Sequence, residues 1–189
     1  MAPYTDEAKP GPVNTYAQSK LDMESLLLAD ATRTQPVVCL RSSIILGPLG
    51  PFGNTHSTFL HFCQSRQGQE TTFWTDEVRS VINVNDVINV LLHFYTSMQS
   101  GSIDDIKSSV YNMGGPERVS RMTMAVAVAK ECGFSHEVFI PDEKANQPTG
   151  GDNPVRSPLD ISMLSCRLED LVGLKFHGLE ATVKAVFAK

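Results

Sequence analysis

Tyr16 and Lys20 stand four positions apart in the stretch NTYAQSKLDME, and their side chains suit proton transfer. Residues four apart share one face of a helix, so the ammonium of Lys20 reaches the neighbourhood of the Tyr16 phenol. A nearby positive charge favours the anionic form of a phenol and makes it a better proton donor at neutral pH. The pair therefore predicts a general acid that protonates a carbonyl oxygen as hydride reaches the carbon. On spacing alone, an exposed helix face with an extended lysine is the commoner explanation.

The residues around this pair predict a helix followed by a parallel strand. Asn14 or Thr15 is a typical helix cap, and the helical pattern continues to about Asp30. The next run, PVVCLRSSIIL, is short, rich in β-branched residues and bounded by Pro36 and Gly47. Such a run is typical of a strand that is buried on both faces of a parallel sheet. A helix followed by this strand is half of an α/β crossover.

The rest of the chain continues this mixed α and β order. We predict strands at TTFW, SVYNMGG and EVFIP, and helices at STFLHFCQSRQG, from about Asp86, at RMTMAVAVAKECG, at LDISMLSCRLEDLVG and at GLEATVKAVFA. Ser120 is expected to cap the third of these helices and Gly133 to end it. The long polar stretch DEKANQPTGGDNPVRSP is predicted to be a loop, and a loop of that length is more often functional than idle.

Composition excludes several classes of function. The chain has 189 residues, a net charge of −5 and 41% hydrophobic residues, and no apolar run approaches the ~20 residues that a membrane span requires. Its scattered Lys and Arg form no basic stripe that would bind nucleic acid. The N-terminus shows no basic segment followed by an apolar one, so we expect a cytoplasmic protein. Four dispersed cysteines predict free thiols, and His56 and His61 lack a third neighbouring ligand, which predicts no metal site.

Five stretches, PYTDEAKPGPVNTYAQSKLDME, VVCLRSSIILGP, RSVINVNDV, VYNMGGPERVSRMTMA and NPVRSPLDISML, follow one another over nearly the whole chain. In content and order they resemble the extended short-chain dehydrogenase/reductases, in the branch of dTDP-4-dehydrorhamnose reductase. The resemblance implies an α/β fold: the C-terminal portion of a Rossmann-like NAD(P)-binding fold plus a small mixed α/β substrate lobe. Residues 1–189 then form an RmlD-like substrate-binding domain, with 1–50 a remnant of the NAD(P)-binding domain and 51–189 the substrate lobe.

The same resemblance implies which residues meet the cofactor. Five motifs in the right order favour the catalytic interpretation of Tyr16 and Lys20, which in this family also contact the NADP or NAD. Arg41, Ser42 and Ser43, within the predicted strand, are the further implied cofactor contacts.

The substrate contacts depart from the family pattern. Ile44 is a predicted contact to a nucleotide-sugar-like substrate. Arg79 and Arg118, which stand beside turns, are predicted to contact its phosphates, although a solvated arginine is commoner than a phosphate-binding one. The chain has Ile44, Ile45 and Leu46 where rhamnose reductases carry aromatic residues. Their absence favours a second member of the branch, the regulatory β subunit of methionine adenosyltransferase. That protein binds NADP and regulates an enzyme, so its partner would be the methionine adenosyltransferase catalytic subunit.

A glycine-rich phosphate-binding turn is absent from this sequence. No G-x-G-x-x-G occurs, and Pro48 and Pro51 remove N–H groups from the loop GPLGPFG. The resemblance places that turn, and a catalytic Ser or Thr, ahead of the tyrosine. We therefore expect the chain to be the C-terminal part of a reductase-like protein, to bind no cofactor alone and to be catalytically silent as given.

Overall fold

Helices and strands are interspersed along the chain, as the sequence pattern predicts. The computed structural model describes residues 2–31, 36–48, 59–100, 109–146 and 158–188. The helices are α1 (Thr15–Ala29), α2 (Phe59–Ser65), α3 (Val84–Gln99), α4 (Arg121–Cys132), α5 (Cys166–Val172) and α6 (Leu179–Phe187). The strands are β1 (Val38–Ser42), β2 (Ile45–Leu46), β3 (Thr71–Trp74), β4 (Val78–Arg79), β5 (Ile82–Asn83), β6 (Ser109–Met113), β7 (Val119–Ser120) and β8 (Phe139–Asp142).

Parallel pairing dominates among the described strands. β1 pairs with β6, β2 with β5 and β3 with β8, all in parallel, and β4 pairs with β7 in antiparallel. In the longest pair, Val38 lies opposite Ser109 and Ser42 opposite Met113. Parallel strands need long crossover connections, which the helices between them supply.

Two hydrophobic cores hold these elements. The first core joins β2, β3, β8, α2, α4 and α6 around fully buried side chains such as Leu60, Met124 and Val128. The second core joins β5, β6, α3 and α5, with Val38 and Leu40 of β1 packed against it. α3, β6 and α5 therefore pack with β1, although they follow the predicted domain boundary at residue 50 and β1 precedes it. That boundary stays a prediction.

Local signals set the helix ends as predicted. The Asn14 side chain accepts the Ala17 N–H at 2.8 Å and caps α1, and the Ser120 side chain accepts the Thr123 N–H at 3.0 Å and caps α4. Gly133 ends α4 with φ of 73°, a left-handed conformation that glycine adopts without steric cost.

The run PVVCLRSSIIL forms two strands, whereas the sequence predicts one. The Ser43 N–H still donates to the Met113 carbonyl at 3.1 Å, on β6. The Ile44 carbonyl instead accepts the Ile82 N–H at 2.9 Å, which begins the pairing of β2 with β5. The chain therefore changes partner strand between Ser43 and Ile44.

The predicted helix LDISMLSCRLEDLVG is wrong in its first half. Residues 159–164 are not helical, and α5 begins only at Cys166. The Val78 N–H donates to the Leu159 carbonyl at 2.7 Å, and the Leu164 N–H donates to the Tyr4 carbonyl at 2.8 Å. These pairings satisfy the backbone and override the helical pattern. α3 also begins at Val84, two residues before the predicted start.

None of the helices within the described ranges has both the length and the apolarity needed to cross a membrane.

Candidate active site

The N-terminal turns of α1 lie at the carboxyl end of β1. The chain leaves α1 at Ala29 and enters β1 at Val38. The guanidinium of Arg41, near the end of β1, reaches Glu24 in the middle of α1, so the chain folds back on itself and the residues that precede Glu24 lie towards the carboxyl end of β1. In open parallel sheets, ligands bind outside the carboxyl ends of the strands. Tyr16 and Lys20 are therefore on the helix end that faces this edge.

Tyr16 and Lys20 lie together on one face of α1, as their spacing predicts. The Lys20 ammonium is 5.4 Å from the centroid of the Tyr16 ring. The Tyr16 side chain is 71% exposed, and the Ser19 hydroxyl donates to its backbone carbonyl at 2.8 Å. The phenol is thus free to meet a carbonyl group that approaches from solvent, with the positive charge beside it.

Arg41 is engaged by a carboxylate in this structure. Its Nε and Nη2 donate to the two oxygens of Glu24 at 2.9 and 2.6 Å. The hydrogen bond to Glu24 raises the pKa of Arg41 above its ordinary value. This bidentate pair joins β1 to α1, so Arg41 supports the scaffold on which Tyr16 and Lys20 sit.

Ser42 and Ser43 lie at the carboxyl end of β1. The exposed Ser42 hydroxyl donates to the Ser43 carbonyl at 2.9 Å. The Ser43 hydroxyl is buried and has no hydrogen-bond partner among the described residues. A buried unpaired hydroxyl costs free energy, and a ligand that supplies the missing partner recovers it. Ser43 is the predicted cofactor contact whose surroundings best suit that role.

The three predicted substrate contacts have different surroundings. Ile44 is half-buried and packs against the first core. Arg79 is 4% exposed, and its guanidinium donates to the carbonyls of Val78, Leu159 and Pro158 at 2.7, 2.9 and 3.0 Å. Through these bonds Arg79 fixes the position of the segment that begins at Pro158.

Arg118 is the most exposed of the predicted substrate contacts. Its Nε donates to the Ser162 hydroxyl at 3.0 Å and its Nη2 to the Asp160 carboxylate, while about half of the side chain, 52%, faces solvent. Burial alone would raise the pKa of Asp160, but hydrogen bonds from Ser162 and Arg118 lower it below its ordinary value. Arg118 is therefore positioned by an acid and still open to an anionic ligand.

Glu77 gathers three cations and was not predicted from the sequence. The side chain is 4% exposed, and its carboxylate pairs with Arg79 at 3.3 Å, with Arg121 at 2.8 Å and with Lys144. Burial alone would raise the pKa of Glu77, but the bonds from Lys144 and Arg121 and the nearby charges lower it. Arg121 and Lys144 follow Glu77 by 44 and 67 positions, so no short sequence motif predicts the cluster.

Asp86 and His177 form a second pair that the sequence does not reveal. The buried Asp86 carboxylate accepts the His177 N–H at 2.8 Å and lies 2.7 Å from the ring Nδ1. Asp86 is in the first turn of α3, where the helix dipole favours a negative charge. The pair fixes the segment between α5 and α6 against the start of α3.

His61, the described member of the pair considered as metal ligands, contacts an aromatic ring. The His61 ring centroid lies 5.2 Å from that of Phe187, and His56 lies outside the described residues. The described residues contain no group of three His, Cys, Asp or Glu side chains that could hold a metal ion.

The family profile described as RmlD substrate binding domain matches residues 1–188. The chain belongs to the RmlD substrate binding domain family. This result confirms the resemblance at the level of the family. No curated protein matches the chain by sequence.

Solved structures confirm the α/β fold, which matches NAD(P)-binding Rossmann-like reductases and epimerases. The dTDP-4-dehydrorhamnose reductase of Yersinia enterocolitica aligns with a TM-score of 0.74 at 18% identity, over 97% of this chain and 61% of that one. RMD from Pseudomonas aeruginosa, complexed with NADPH, aligns with a TM-score of 0.69 at 21% identity, over 99% and 59%. The dTDP-4-dehydrorhamnose reductase of Bacillus anthracis, complexed with NADP, aligns with a TM-score of 0.70 at 16% identity, over 97% and 58%. The RmlD-family chain thus spans about three fifths of each.

Proposed function

We propose that this chain is the C-terminal part of an NAD(P)-dependent reductase that acts on a carbonyl group of a nucleotide-sugar-like substrate. The observation that carries the proposal is the Tyr16 and Lys20 pair, with the Lys20 ammonium 5.4 Å from the Tyr16 ring at the carboxyl end of β1. Membership of the RmlD substrate binding domain family supports it. Residues 1–50 then supply a remnant of the NAD(P)-binding domain, and residues 51–189 supply the substrate lobe.

Tyr16 is the proposed proton donor. Its exposed phenol transfers a proton to the substrate carbonyl oxygen, and the neighbouring Lys20 charge stabilises the phenolate that remains. Bound NAD(P)H supplies the hydride for the carbonyl carbon. The Arg41 and Glu24 pair keeps α1 in place on β1, so the phenol stays at the sheet edge where a ligand binds.

Two described side chains suit contacts to the cofactor. The Lys20 ammonium forms no ion pair with a described residue, and a lysine there can donate to a ribose hydroxyl. The Ser43 hydroxyl is buried and unpartnered at the same edge. Arg41 is less suited to contact the cofactor in this conformation, because its Nε and Nη2 already donate to Glu24.

The argument for a regulatory protein is that residues 44–46 are aliphatic where rhamnose reductases carry the aromatic residues that contact substrate. Packing explains two of these positions without reference to substrate, because Leu46 is 1% exposed and Ile44 lines the first core. The reductase is therefore our preferred function. If the reductase test fails, our second proposal is a regulatory subunit of methionine adenosyltransferase.

The test of the reductase is NADPH oxidation by the full-length parent protein with dTDP-4-dehydrorhamnose. Replacing Tyr16 by Phe removes the proton donor and should lower kcat by about 10²- to 10⁴-fold. Tyr95→Phe is the matched control, since Tyr95 is also exposed but lies on α3, and it should leave kcat unchanged. Equal rates for the two variants would contradict the role of Tyr16. Retention on immobilised methionine adenosyltransferase without NADPH oxidation would favour the regulatory subunit.

Substrate recognition has a separate test on this chain. Calorimetric titration with dTDP-glucose should show binding that Arg118→Met weakens by about tenfold or more, because a charged hydrogen bond contributes ~1.5–3 kcal/mol. Arg66→Met is the control, since Arg66 is half-buried, contacts the Phe62 ring and is not one of the predicted substrate contacts. Equal affinities for both variants would remove Arg118 from the proposed site.

A further inference from the structure

The N-terminal turns of α1, which carry Tyr16 and Lys20, are lightly held. None of the residues of α1 is fully buried, and Tyr16 is 71% exposed. The side-chain pair that joins α1 to β1 comes from Glu24, in the middle of the helix and well after Tyr16. Helix ends fray unless neighbouring groups hold them. The position of Tyr16 therefore depends on the residues that lead into the helix.

The segment that leads into α1 is bonded to two other parts of the chain. We call residues 2–13 the lead-in segment. The Tyr4 N–H donates to the Ser162 carbonyl at 2.9 Å, and the Leu164 N–H donates to the Tyr4 carbonyl at 2.8 Å. The Asn112 side chain, on β6, donates from its Nδ2 to the same carbonyl at 2.9 Å. These bonds fix the backbone at Tyr4 against β6 and against the segment that precedes α5.

Asp6 attaches the lead-in segment a second time, through its side chain. The Asp6 carboxylate accepts the backbone N–H of Asn112 at 2.6 Å and lies 3.7 Å from the Arg167 guanidinium. The Asp6 side chain is 5% exposed, and Asn112 is 3% exposed. A buried N–H requires an acceptor, and for Asn112 the acceptor is Asp6.

Asp6 also lies beside the arginine that holds α1. Asn112 is opposite Arg41 in the pairing of β1 with β6. The hydrogen bond to Glu24 is the main reason that the pKa of Arg41 is raised, and the nearby charge of Asp6 adds to that effect. The Asp6 carboxylate is therefore near the carboxyl ends of both strands, next to the pair that joins β1 to α1.

A short and stiff stretch connects Asp6 to α1. Residues 9–13, which lie between them, form neither helix nor turn. Pro10 and Pro12 fix their own φ angles, and each proline also restricts the residue before it. A stretch with so few free torsions transmits the position of Asp6 to Asn14, which caps α1.

The lead-in segment is also bonded to the surroundings of Arg118, a predicted substrate contact. The Arg118 guanidinium donates to the Ser162 hydroxyl at 3.0 Å and pairs with Asp160. The Ser162 carbonyl accepts the Tyr4 N–H. Consecutive bonds thus connect Arg118 with the segment that enters the helix of Tyr16.

We propose that Asp6 is a positioning residue that holds the Tyr16 phenol where it meets the substrate carbonyl. The bond from Asn112 fixes Asp6 on β6. The stretch that contains the two prolines carries that position to Asn14, and Tyr16 follows in the first turn of α1. Asp6 acts through the backbone and not on the reacting atoms. The inference rests on the proposed reductase function and gives a role to an acid outside the Tyr16 and Lys20 pair.

Charge is the competing explanation, because a carboxylate near Arg41 and Arg167 acts on both at a distance. The Arg167 side chain is 51% exposed and 3.7 Å away, and exposed pairs of this kind contribute little. Arg41 already has both oxygens of Glu24. The bond from the buried Asn112 N–H is shorter than the contact with Arg167, so we expect an uncharged acceptor to replace Asp6.

Three variants of the full-length parent protein separate these explanations. Asp6→Ala removes the acceptor and should lower kcat for NADPH oxidation with dTDP-4-dehydrorhamnose by about 10²-fold, the effect of displacing a reacting group by about 1 Å. KM should stay nearly unchanged, because Arg118 keeps its own partners. Asp6→Asn keeps an acceptor oxygen and should keep most of the activity. Glu7→Ala is the matched control, since Glu7 is the neighbouring acid and is exposed, and it should leave kcat unchanged.

Hydrogen exchange on the chain of residues 1–189 tests the anchor without catalysis. In Asp6→Ala the Asn112 amide loses its acceptor and should exchange about tenfold faster or more. The Leu21 amide, in the second turn of α1, should also exchange faster, while the Asp30 amide at the far end of the helix should keep its rate. Glu7→Ala should leave all three rates at those of the unsubstituted chain.

A second variant decides the case in which Asp6→Ala does not fold. Pro10→Gly combined with Pro12→Gly leaves the bond between Asp6 and Asn112 in place and loosens the stretch that leads to α1. Both prolines are exposed, so the double variant should fold. It should lower kcat by about tenfold and leave exchange at Asn112 unchanged.

The outcomes distinguish this inference from the proposed function. Unchanged kcat in Asp6→Ala or in the proline variant would overturn the positioning role. Equal losses in Asp6→Asn and Asp6→Ala would overturn it in favour of charge, and a rise in KM alone would overturn it in favour of substrate binding. If the unsubstituted parent oxidises no NADPH, the proposed function fails. Exchange at Asn112 and Leu21 then decides the anchor: faster exchange in Asp6→Ala supports it, and unchanged exchange overturns it.

Discussion

Replacing Glu77 by Gln should destabilise the chain strongly, because it removes the negative charge that three cations share. Glu77 is 4% exposed, and Arg79, whose side chain is 5% exposed, would keep its charge but lose the carboxylate that pairs with it. Breaking a buried ion pair costs about 3–5 kcal/mol. Arg121 and Lys144 are 21% and 30% exposed and can regain water, so we expect the lower end, about 3 kcal/mol.

Thermal unfolding measures this loss. For a chain of this size, about 3 kcal/mol corresponds to a fall in Tm of about 6–12 °C. Glu180→Gln is the matched control, because Glu180 is 86% exposed and pairs with Lys130 at 3.8 Å; an exposed pair contributes about 0.2–1 kcal/mol. If the two variants melted at the same temperature, the Glu77 cluster would not contribute the proposed stability.

The pH dependence of this effect has a fixed sign. The folded pKa of Glu77 is lowered from its ordinary value of 4.5. A group with a lowered folded pKa contributes its full stability above the unfolded value and loses it as the pH falls through the folded value. The difference in the free energy of unfolding between the unsubstituted chain and Glu77→Gln should therefore be constant at neutral pH and become smaller below a pH of about 4.5. A difference that widened in acid would contradict the assigned direction.

Two further predictions concern cysteine reactivity and backbone packing. Burial raises the pKa of Cys63 to about 12, so a thiol reagent at pH ~8 should label the exposed Cys166 first and reach Cys63 only on unfolding; equal labelling, read by peptide mass spectrometry, would contradict the buried position. Gly115→Ala should lower stability by about 1–3 kcal/mol or more, because a Cβ there would clash with the Val81 carbonyl oxygen. Gly11→Ala has open space and serves as the control in the same denaturant titration.

The parts of the site that sequence alone could predict are the local ones. Tyr16 and Lys20 come together because both belong to one helix, and a spacing of four fixes their common face. Asn14 and Ser120 cap their helices by accepting hydrogen bonds from the backbone N–H three positions later. Such features depend on neighbours in the sequence, so the pattern contains them.

Long-range partners account for what the sequence could not predict. Arg41 was expected to contact the cofactor, but its partner Glu24 is set by how α1 packs on β1. Arg79 was expected to meet substrate phosphates, but its bonds go to backbone carbonyls about 80 positions away. The extended segment before α5 has the same cause, because its pairing with Val78 and Tyr4 depends on the assembled fold.

Tyr16 and Lys20 are proposed to serve an NAD(P)H cofactor whose pyrophosphate needs a glycine-rich turn that this sequence lacks. Calorimetric titration of the chain alone with NADPH and with NADH tests it directly. We predict no saturable heat up to millimolar ligand, because a charged hydrogen bond of ~1.5–3 kcal/mol from Lys20 does not offset the ~4–15 kcal/mol of freedom lost on binding. Micromolar binding that Lys20→Ala abolishes would contradict the claim, since the residues of this chain would then form a cofactor site by themselves.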